Sequence, residues 1–334
     1  MKAIVTGSNG FIGSHIVEAL LQENIETVCL FRKGGSTGKY LEGLPIKKHF
    51  IEYDKPETLV SCPAFDEADY VIHVAGVTKR VTKQQFIAGN VEPTQNLLET
   101  IRAKTLKLKR FVFISSQAAA GPAKTLDHPI TENDKPRPLE IYGESKFIAE
   151  QIVQEYGETI PFTIIRPPAV YGPRDVDFFE MFQYVRKGIN IYASNRDSYI
   201  SIVHVDDLTR GILDAMKSPE AANKTYFLSN KKPIAWHEVK EVVERVVGRS
   251  AFDINIPKFV LKVAGKCGDL YSKMTGRFSL INSPKIELSL PKYWLCSAEL
   301  AKRDFGFQPE TKLEEGMKGT YEWYQQNGWL RGKK

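Results

Sequence analysis

The sequence predicts an α/β fold: a doubly wound parallel sheet with a smaller C-terminal domain. Three observations carry this. Short β-branched runs alternate with helical patterns through the first half of the 334-residue chain. A glycine-spaced turn follows the first of these runs. Regularity then fades after Tyr171, where aromatic residues and prolines become frequent.

Strand-like runs recur at Ala3–Thr6, Thr27–Phe31, His49–Glu52, Tyr70–Val74, Arg110–Ser115 and Thr163–Arg166. Helical patterns at Phe11–Glu23, Asn90–Lys104 and Tyr142–Tyr156 separate most of them. Continuous apolar stretches such as Phe111-Val112-Phe113-Ile114 suit strands covered on both faces. A further strand–helix unit at Ile200–Met216 and a strand at Thr225–Leu228 read as returns to the sheet. The expected division is a dinucleotide-binding domain over residues 1–171 with returns at about 200–230. Residues 172–199 and 231–334 then make a smaller substrate-binding domain.

The first run, Ala3-Ile4-Val5-Thr6, enters Gly7-Ser8-Asn9-Gly10-Phe11-Ile12-Gly13. Gly7 permits a sharp turn, Gly10 lets the backbone approach a pyrophosphate, and Gly13 lets the helix lie close to the sheet. The free N–H groups at the helix start suit an anion. This is a Rossmann-type phosphate turn, with an ordinary strand-to-helix turn as the plainer reading. At the end of the second strand, Arg32 and Lys33 stand where an NAD-binding fold usually has an acid for the ribose hydroxyls. Arg32, joined by Lys39, suits a 2′-phosphate, which favours NADP over NAD; two solvated bases are the alternative. Asp54 offers an acceptor to an adenine amino group or is a plain loop carboxylate. Val74, Ala75 and Gly76 close the fourth strand with small residues that admit a cofactor ribose. His73 reads as a hydrogen-bonded structural histidine, not a base.

The chemistry concentrates at Tyr142-Gly143-Glu144-Ser145-Lys146. Tyrosine and lysine four apart share a helix face. A free phenol titrates near ~10, and a neighbouring ammonium favours the phenolate. Tyr142 is then the general acid/base, with Lys146 also able to hold the cofactor ribose. Ser115-Ser116 ends the intervening strand and offers a hydroxyl to a substrate carbonyl oxygen.

The net charge is +6, with the bases scattered apart from Lys104–Arg110, which reads as a solvated edge and not a nucleic-acid patch. No run of about 18 or more apolar residues is present, so no membrane span is expected. The chain opens directly on strand and turn, so no signal peptide is expected. Cys29, Cys62, Cys267 and Cys296 lack metal or redox spacing and read as reduced thiols of a cytoplasmic protein. The six histidines show no metal-ligand spacing.

Together these pieces identify the chain as resembling the extended short-chain dehydrogenase/reductase family, also called the NAD-dependent epimerase/dehydratase family. They are Thr6–Gly13, His73–Gly76, Ser115-Ser116, Tyr142–Lys146, Arg166–Pro173 and His204–Leu208. The resemblance spans nearly the whole chain. It implies Tyr142 as the catalytic acid/base, Lys146 as its partner and Ser116 as the hydroxyl that orients substrate, with Ser115 the second choice. Asn90 resembles the family asparagine of the central helix, although Pro93 replaces a usual glycine. Cofactor contacts are implied at Gly7, Asn9, Gly10, Phe11, Ile12, Asp54, Val74, Ala75, Gly76 and Ser115. Pro167 and Val170 would meet the nicotinamide carboxamide. A homodimer through Asn90–Lys104 and Tyr142–Tyr156 is likewise implied.

Two features select among the family's chemistries. Nucleotide-sugar members carry an arginine before the His-Val-x-Asp stretch, whereas Tyr199–His204 has none; Arg174, Arg186 or Arg196 would have to substitute. Phe178, Phe179, Met181, Phe182 and Tyr184 read either as an aromatic pocket wall or as a packed helix. Residues 257–276 form a helix with Lys258, Lys262, Lys266 and Lys273 on one stripe. Phe259, Val260, Val263, Cys267, Leu270, Tyr271 and Met274 lie opposite. It reads as an ordinary surface helix, a pocket cap or a contact with an anionic membrane surface. This tail resembles 3β-hydroxysteroid-dehydrogenase-like and dihydroflavonol-reductase-like members. The expected activity is an NAD(P)-dependent oxidoreductase acting on a hydroxyl/ketone pair in an apolar or ring-containing small molecule. The alternatives are a nucleotide-sugar epimerase or dehydratase, and a non-catalytic dinucleotide sensor.

Overall fold

A computed structural model describes residues 1–104, 107–193, 196–276, 279 and 281–330. Seven strands make one sheet: β1 (Lys2–Thr6), β2 (Glu26–Arg32), β3 (Lys47–Ile51), β4 (Tyr70–His73), β5 (Arg110–Ile114), β6 (Phe162–Arg166) and β7 (Lys224–Phe227). Their order is β7-β6-β5-β4-β1-β2-β3, and every pairing is parallel. The winding reverses beside β1, where Thr6 pairs with Leu30 on one side and His73 on the other. In such sheets that reversal opens a crevice at the carboxyl ends of the strands.

Side-chain alternation divides the core into two layers. Ala3, Val5, Ile72, Val112 and Ile114 face one side, with Ile16, Val17 and Leu20 of α1 (Phe11–Gln22). Ile4, Val71, Phe111 and Phe113 face the other, with Leu97, Leu98 and Ile101 of α2 (Glu92–Lys104) and Ala149 and Val153 of α3 (Ile141–Glu155). The continuous apolar run of β5 is thus covered on both faces. α1 ends at Gln22, and Asn24, with a φ of 57°, turns the chain into β2. α2 extends a helical stretch that starts at Lys83, seven residues before the expected start, through a π turn at Ile87–Val91. Pro93 has no N–H to give to the carbonyl four residues back, and the wider turn just before it accommodates that loss.

The Ile200–Met216 unit departs from expectation. Its strand, Ile202–His204, pairs with Ala169–Tyr171 in a separate two-stranded ribbon. Pro167 and Pro168 explain this: without N–H groups they end the ladder of β6, and the chain leaves the sheet there. β7 does return to the sheet, at its edge beside β6.

Beyond the sheet, α4 (Asp177–Arg186), α5 (Val205–Lys217), α6 (Trp236–Val247), α7 (Lys258–Thr275) and α8 (Leu313–Gln326) follow. α5 joins the first layer through Leu208, Ile212 and Met216. α4 carries Phe178, Phe182 and Val185 at helical spacing and packs them on Val239, Val242 and Val243 of α6 and Met317 and Tyr324 of α8. Phe178, Phe179, Met181 and Phe182 of the aromatic run are therefore packed core and not a pocket wall, while Tyr184 is exposed. Phe179 meets the Trp329 ring edge-on at 5.1 Å, and Phe182 lies 5.3 Å from Tyr321. Among the described residues no helix is long and apolar enough to cross a membrane.

Candidate active site

The carboxyl ends of β1, β4, β5 and β6 converge with the start of α3. At β1, Gly7 has a φ of 65°, and a Cβ there would stand 2.6 Å from the Ala75 nitrogen. Gly10 is the N-cap of α1 and offers no side chain to its free N–H groups, and the first turn of α1 holds no acid. The amides of Phe11 and Ile12 thus begin a helix whose positive end is uncapped. Thr6 welds the turn to β4: its hydroxyl oxygen accepts from Val74 N at 3.2 Å and Ala75 N at 3.1 Å. Asn9 donates to the Ser36 carbonyl at 2.8 Å, fastening the turn to the loop that follows Arg32. This donor set, with its close backbone approach, fits a dinucleotide pyrophosphate.

Arg32 is exposed at the end of β2, and Lys33 pairs with Glu52 at 3.9 Å. Lys39 is exposed, with its ammonium 5.1 Å from the Tyr40 ring centroid, and Asp54 is exposed just beyond β3. The carbonyl of Pro167 accepts from Gln117 N at 2.8 Å, while Val170 packs on the first core layer. His73 is buried between hydroxyls, Thr6 Oγ1 at 2.7 Å and Thr94 Oγ1 at 3.1 Å. Burial, helped by the Lys146 charge, pushes its pKa down to about 3. A ring so held has no free nitrogen for catalysis.

α3 starts at Ile141 because Glu140 caps it, accepting from Tyr142 N at 2.5 Å and Gly143 N at 2.6 Å. Ser116 caps the short helix Gln117–Ala120 through Ala118 N at 3.1 Å. Its hydroxyl also favours the ionised form of the Tyr142 phenol. Burial pushes that phenol up to about 12, the Ser116 hydroxyl opposing this and the Glu140 charge adding to it. The expected acidification by Lys146 is not what this arrangement gives. The Lys146 ammonium instead donates to the Ile114 carbonyl at 2.7 Å and lies 4.2 Å from the Phe113 ring centroid. Burial pulls its pKa down to about 7, with the Glu150 charge opposing.

Ser115 turns away from Tyr142. Its hydroxyl donates to Glu150 at 2.5 Å, and Glu150 receives Arg166 in two bonds of 2.9 and 2.6 Å. Asn90 is also fully engaged: it accepts from Val77 N at 2.7 Å and donates to Val77 O and Ser145 Oγ. Ser145 in turn donates to the Tyr142 carbonyl at 2.7 Å, so Asn90 reaches Tyr142 through one hydroxyl. Glu150 and Glu140 were not singled out from the sequence, and Thr6 and Arg166 entered only as the ends of strand runs and the first residues of motif stretches. Glu150 had a signal: Tyr142, Lys146 and Glu150 succeed one another at four-residue steps on one helix face.

The three arginines considered for a substrate diphosphate are otherwise committed. Arg174 donates to Glu18 at 2.5 Å and Ser14 at 3.0 Å on α1. Arg186 donates to the Leu330 carbonyl at 2.6 Å, and Arg196 lies 3.9 Å from Asp197 and from Asp253. Within the motif that follows, Asp207 accepts from Glu310 N and Thr311 N, each at 3.0 Å, and ties α5 to the chain leading into α8.

The model of the NAD dependent epimerase/dehydratase family matches residues 3–228. A ceramide reductase of Caulobacter vibrioides is 26% identical over 327 residues, covering 98% of this chain and 95% of the relative. A UDP-glucose 4-epimerase of Vibrio cholerae is 25% identical, over 95% of this chain and 93% of its own. Among solved structures, UDP-glucose 4-epimerase of Thermotoga maritima with UDP-glucose superposes with a TM-score of 0.79 at 21% identity, covering 98% of this chain and 99% of that one.

Proposed function

The chain belongs to the NAD dependent epimerase/dehydratase family, and from that premise we infer that it is a reductase of a carbonyl in an apolar or ring-containing small molecule. The observation that carries the reaction class is the Tyr142 phenol one helical turn from the buried Lys146, with the Ser116 hydroxyl acting on it. A bound reduced nicotinamide supplies the hydride for the carbonyl carbon. The chain supplies the proton. A phenol raised to about 12 keeps its proton at neutral pH, which is the form needed to protonate a developing alkoxide. Ser116 donates to the same oxygen as its charge grows. Lys146 lies one helical turn from Tyr142 and offers its ammonium to the cofactor ribose. Asn90 positions Tyr142 through Ser145.

The substrate class rests on the arginines that would have to hold a substrate diphosphate. Tyr199–His204 contains no arginine, and Arg174, Arg186 and Arg196 serve other partners. The long alignment with a ceramide reductase supports the same reading. A second reading, a nucleotide-sugar epimerase, is favoured by the Vibrio relative. Arg32 supports NADP over NAD, since it can hold a 2′-phosphate where an acid would hold ribose hydroxyls. The smaller substrate-side domain is proposed to comprise residues 172–199 and 231–334, and a homodimer to form through α2 and α3.

The test is NADPH oxidation across a panel of long-chain and cyclic ketones. Turnover is expected for at least one, and Tyr142→Phe is expected to lose about 10²–10⁴-fold in kcat with nucleotide binding kept. A folded Phe variant with wild-type turnover overturns the assignment.

A further inference from the structure

α7 has three faces, not the two that its sequence pattern suggests. At about 100° per residue, Leu261, Gly265, Gly268 and Ser272 form one face, and all four are buried. The two glycines let the helix lie against residues 281–286: a Cβ on Gly265 would stand 3.2 Å from Ser283 and Ile286. The apolar face is a different one. Phe259 is 70% exposed, Val263 59%, Leu270 58% and Met274 77%. Lys258, Lys262, Lys266 and Lys273 follow along one flank of that stripe and are all exposed. The single acid of the helix, Asp269, is tied to Ser283 N at 3.1 Å.

The strand that feeds α7 continues the pattern. Phe252 and Ile254 lie two residues apart, hence on one side of the strand Phe252–Ile256. Both are exposed, and Ile254 pairs with exposed Ile191 on the neighbouring strand. Large apolar side chains gathered outward at this density mark a contact surface and not scattered surface residues.

We propose that α7 docks this protein on a lipid bilayer whose surface carries anionic headgroups. The charge complementarity fixes the occupant. An apolar stripe with lysines along its border matches a helix lying in the interface, apolar residues among the acyl chains and ammonium groups at the phosphates. The small-residue face holds the helix to the rest of the protein while leaving that stripe outward. Such docking brings the site to a membrane-dissolved substrate without a spanning segment.

The experiment is flotation of the full chain with vesicles of phosphatidylcholine and phosphatidylglycerol, and with phosphatidylcholine alone; it needs no turnover and stands apart from the catalytic assignment. Wild type is expected to float with the anionic vesicles and to be released by salt. Phe259→Ser/Leu270→Ser/Met274→Ser should bind about tenfold or more weakly with its thermal transition kept. Lys258→Gln/Lys262→Gln/Lys266→Gln/Lys273→Gln should lose the preference for anionic vesicles. Wild type that fails to float, or a serine variant that floats equally well, overturns the proposal. So does a wild-type dimer that ignores vesicles and becomes a monomer in the serine variant, since a second copy would then cover this face.

Discussion

The edge of the sheet around Tyr142 and the outer face of α7 are opposites. At the first, polar and charged side chains are buried and form a chain of pairs: Ser115 with Glu150, Glu150 with Arg166, Lys146 with Ile114, Asn90 with Val77 and Ser145. At the second, large apolar side chains are left in solvent. Each inverts the ordinary rule of burial, and each inversion costs stability that only function recovers. The difference lies in how they answer to mutation. The first is a network, where one lost member strands the others; the second is a set of independent side chains.

The comparison breaks most visibly at Glu150. Glu150→Gln leaves Arg166 buried without its carboxylate, and a loss of about 3–5 kcal/mol is expected in urea unfolding. It also removes the charge that holds up the Lys146 pKa. An unchanged midpoint would show that the network is not the unit described. Lys146 sharpens the same point through pH. Its folded value near 7 lies below the unfolded 10.5, so between those two the unfolded chain binds a proton that the folded chain does not. Stability should therefore rise with pH across that window, and fall to its lowest contribution from this group below about 7. Lys146→Met should lose that rise, read as the urea midpoint against pH, along with turnover.

Smaller effects are expected away from the network. Arg32→Ser should lower NADPH affinity by about tenfold relative to NADH, the scale of one lost charge-assisted pair. Equal loss for both nucleotides would return Arg32 to an ordinary solvated base. The triple serine variant of α7 should leave the urea midpoint nearly unmoved, within about 0.5 kcal/mol, because its side chains touch little of the fold. A larger loss would mean that the exposed stripe is held by contacts within the chain.

The sheet was legible because its strands are short, apolar and punctuated by glycine or proline. All six expected strands of the first half form, within two residues at their ends. The Ser115-Ser116 pair at the end of an apolar run marked the site for the same reason. What could not be read was the choice of neighbour. Phe178 and Phe182 have the spacing of a core face, and they form one. Phe259, Val263, Leu270 and Met274 have similar spacing and are exposed. Periodicity reports which residues share a face, and not what covers it. Ser115 and Ser116 are equal in sequence, and only the fold turns one to Glu150 and makes the other the cap of Gln117–Ala120. The Lys146–Tyr142 spacing was legible, but the direction of the phenol's shift was not, since burial outweighs the neighbouring charge.

The central claim is a reductase that exchanges its cofactor at each turnover. The most direct test is the nucleotide content of the purified, denatured protein by mass spectrometry, followed by titration with NADPH and NADH. The account predicts little retained nucleotide and tighter binding of NADPH. NAD retained in stoichiometric amount through dialysis would contradict it and favour internal redox on a nucleotide sugar.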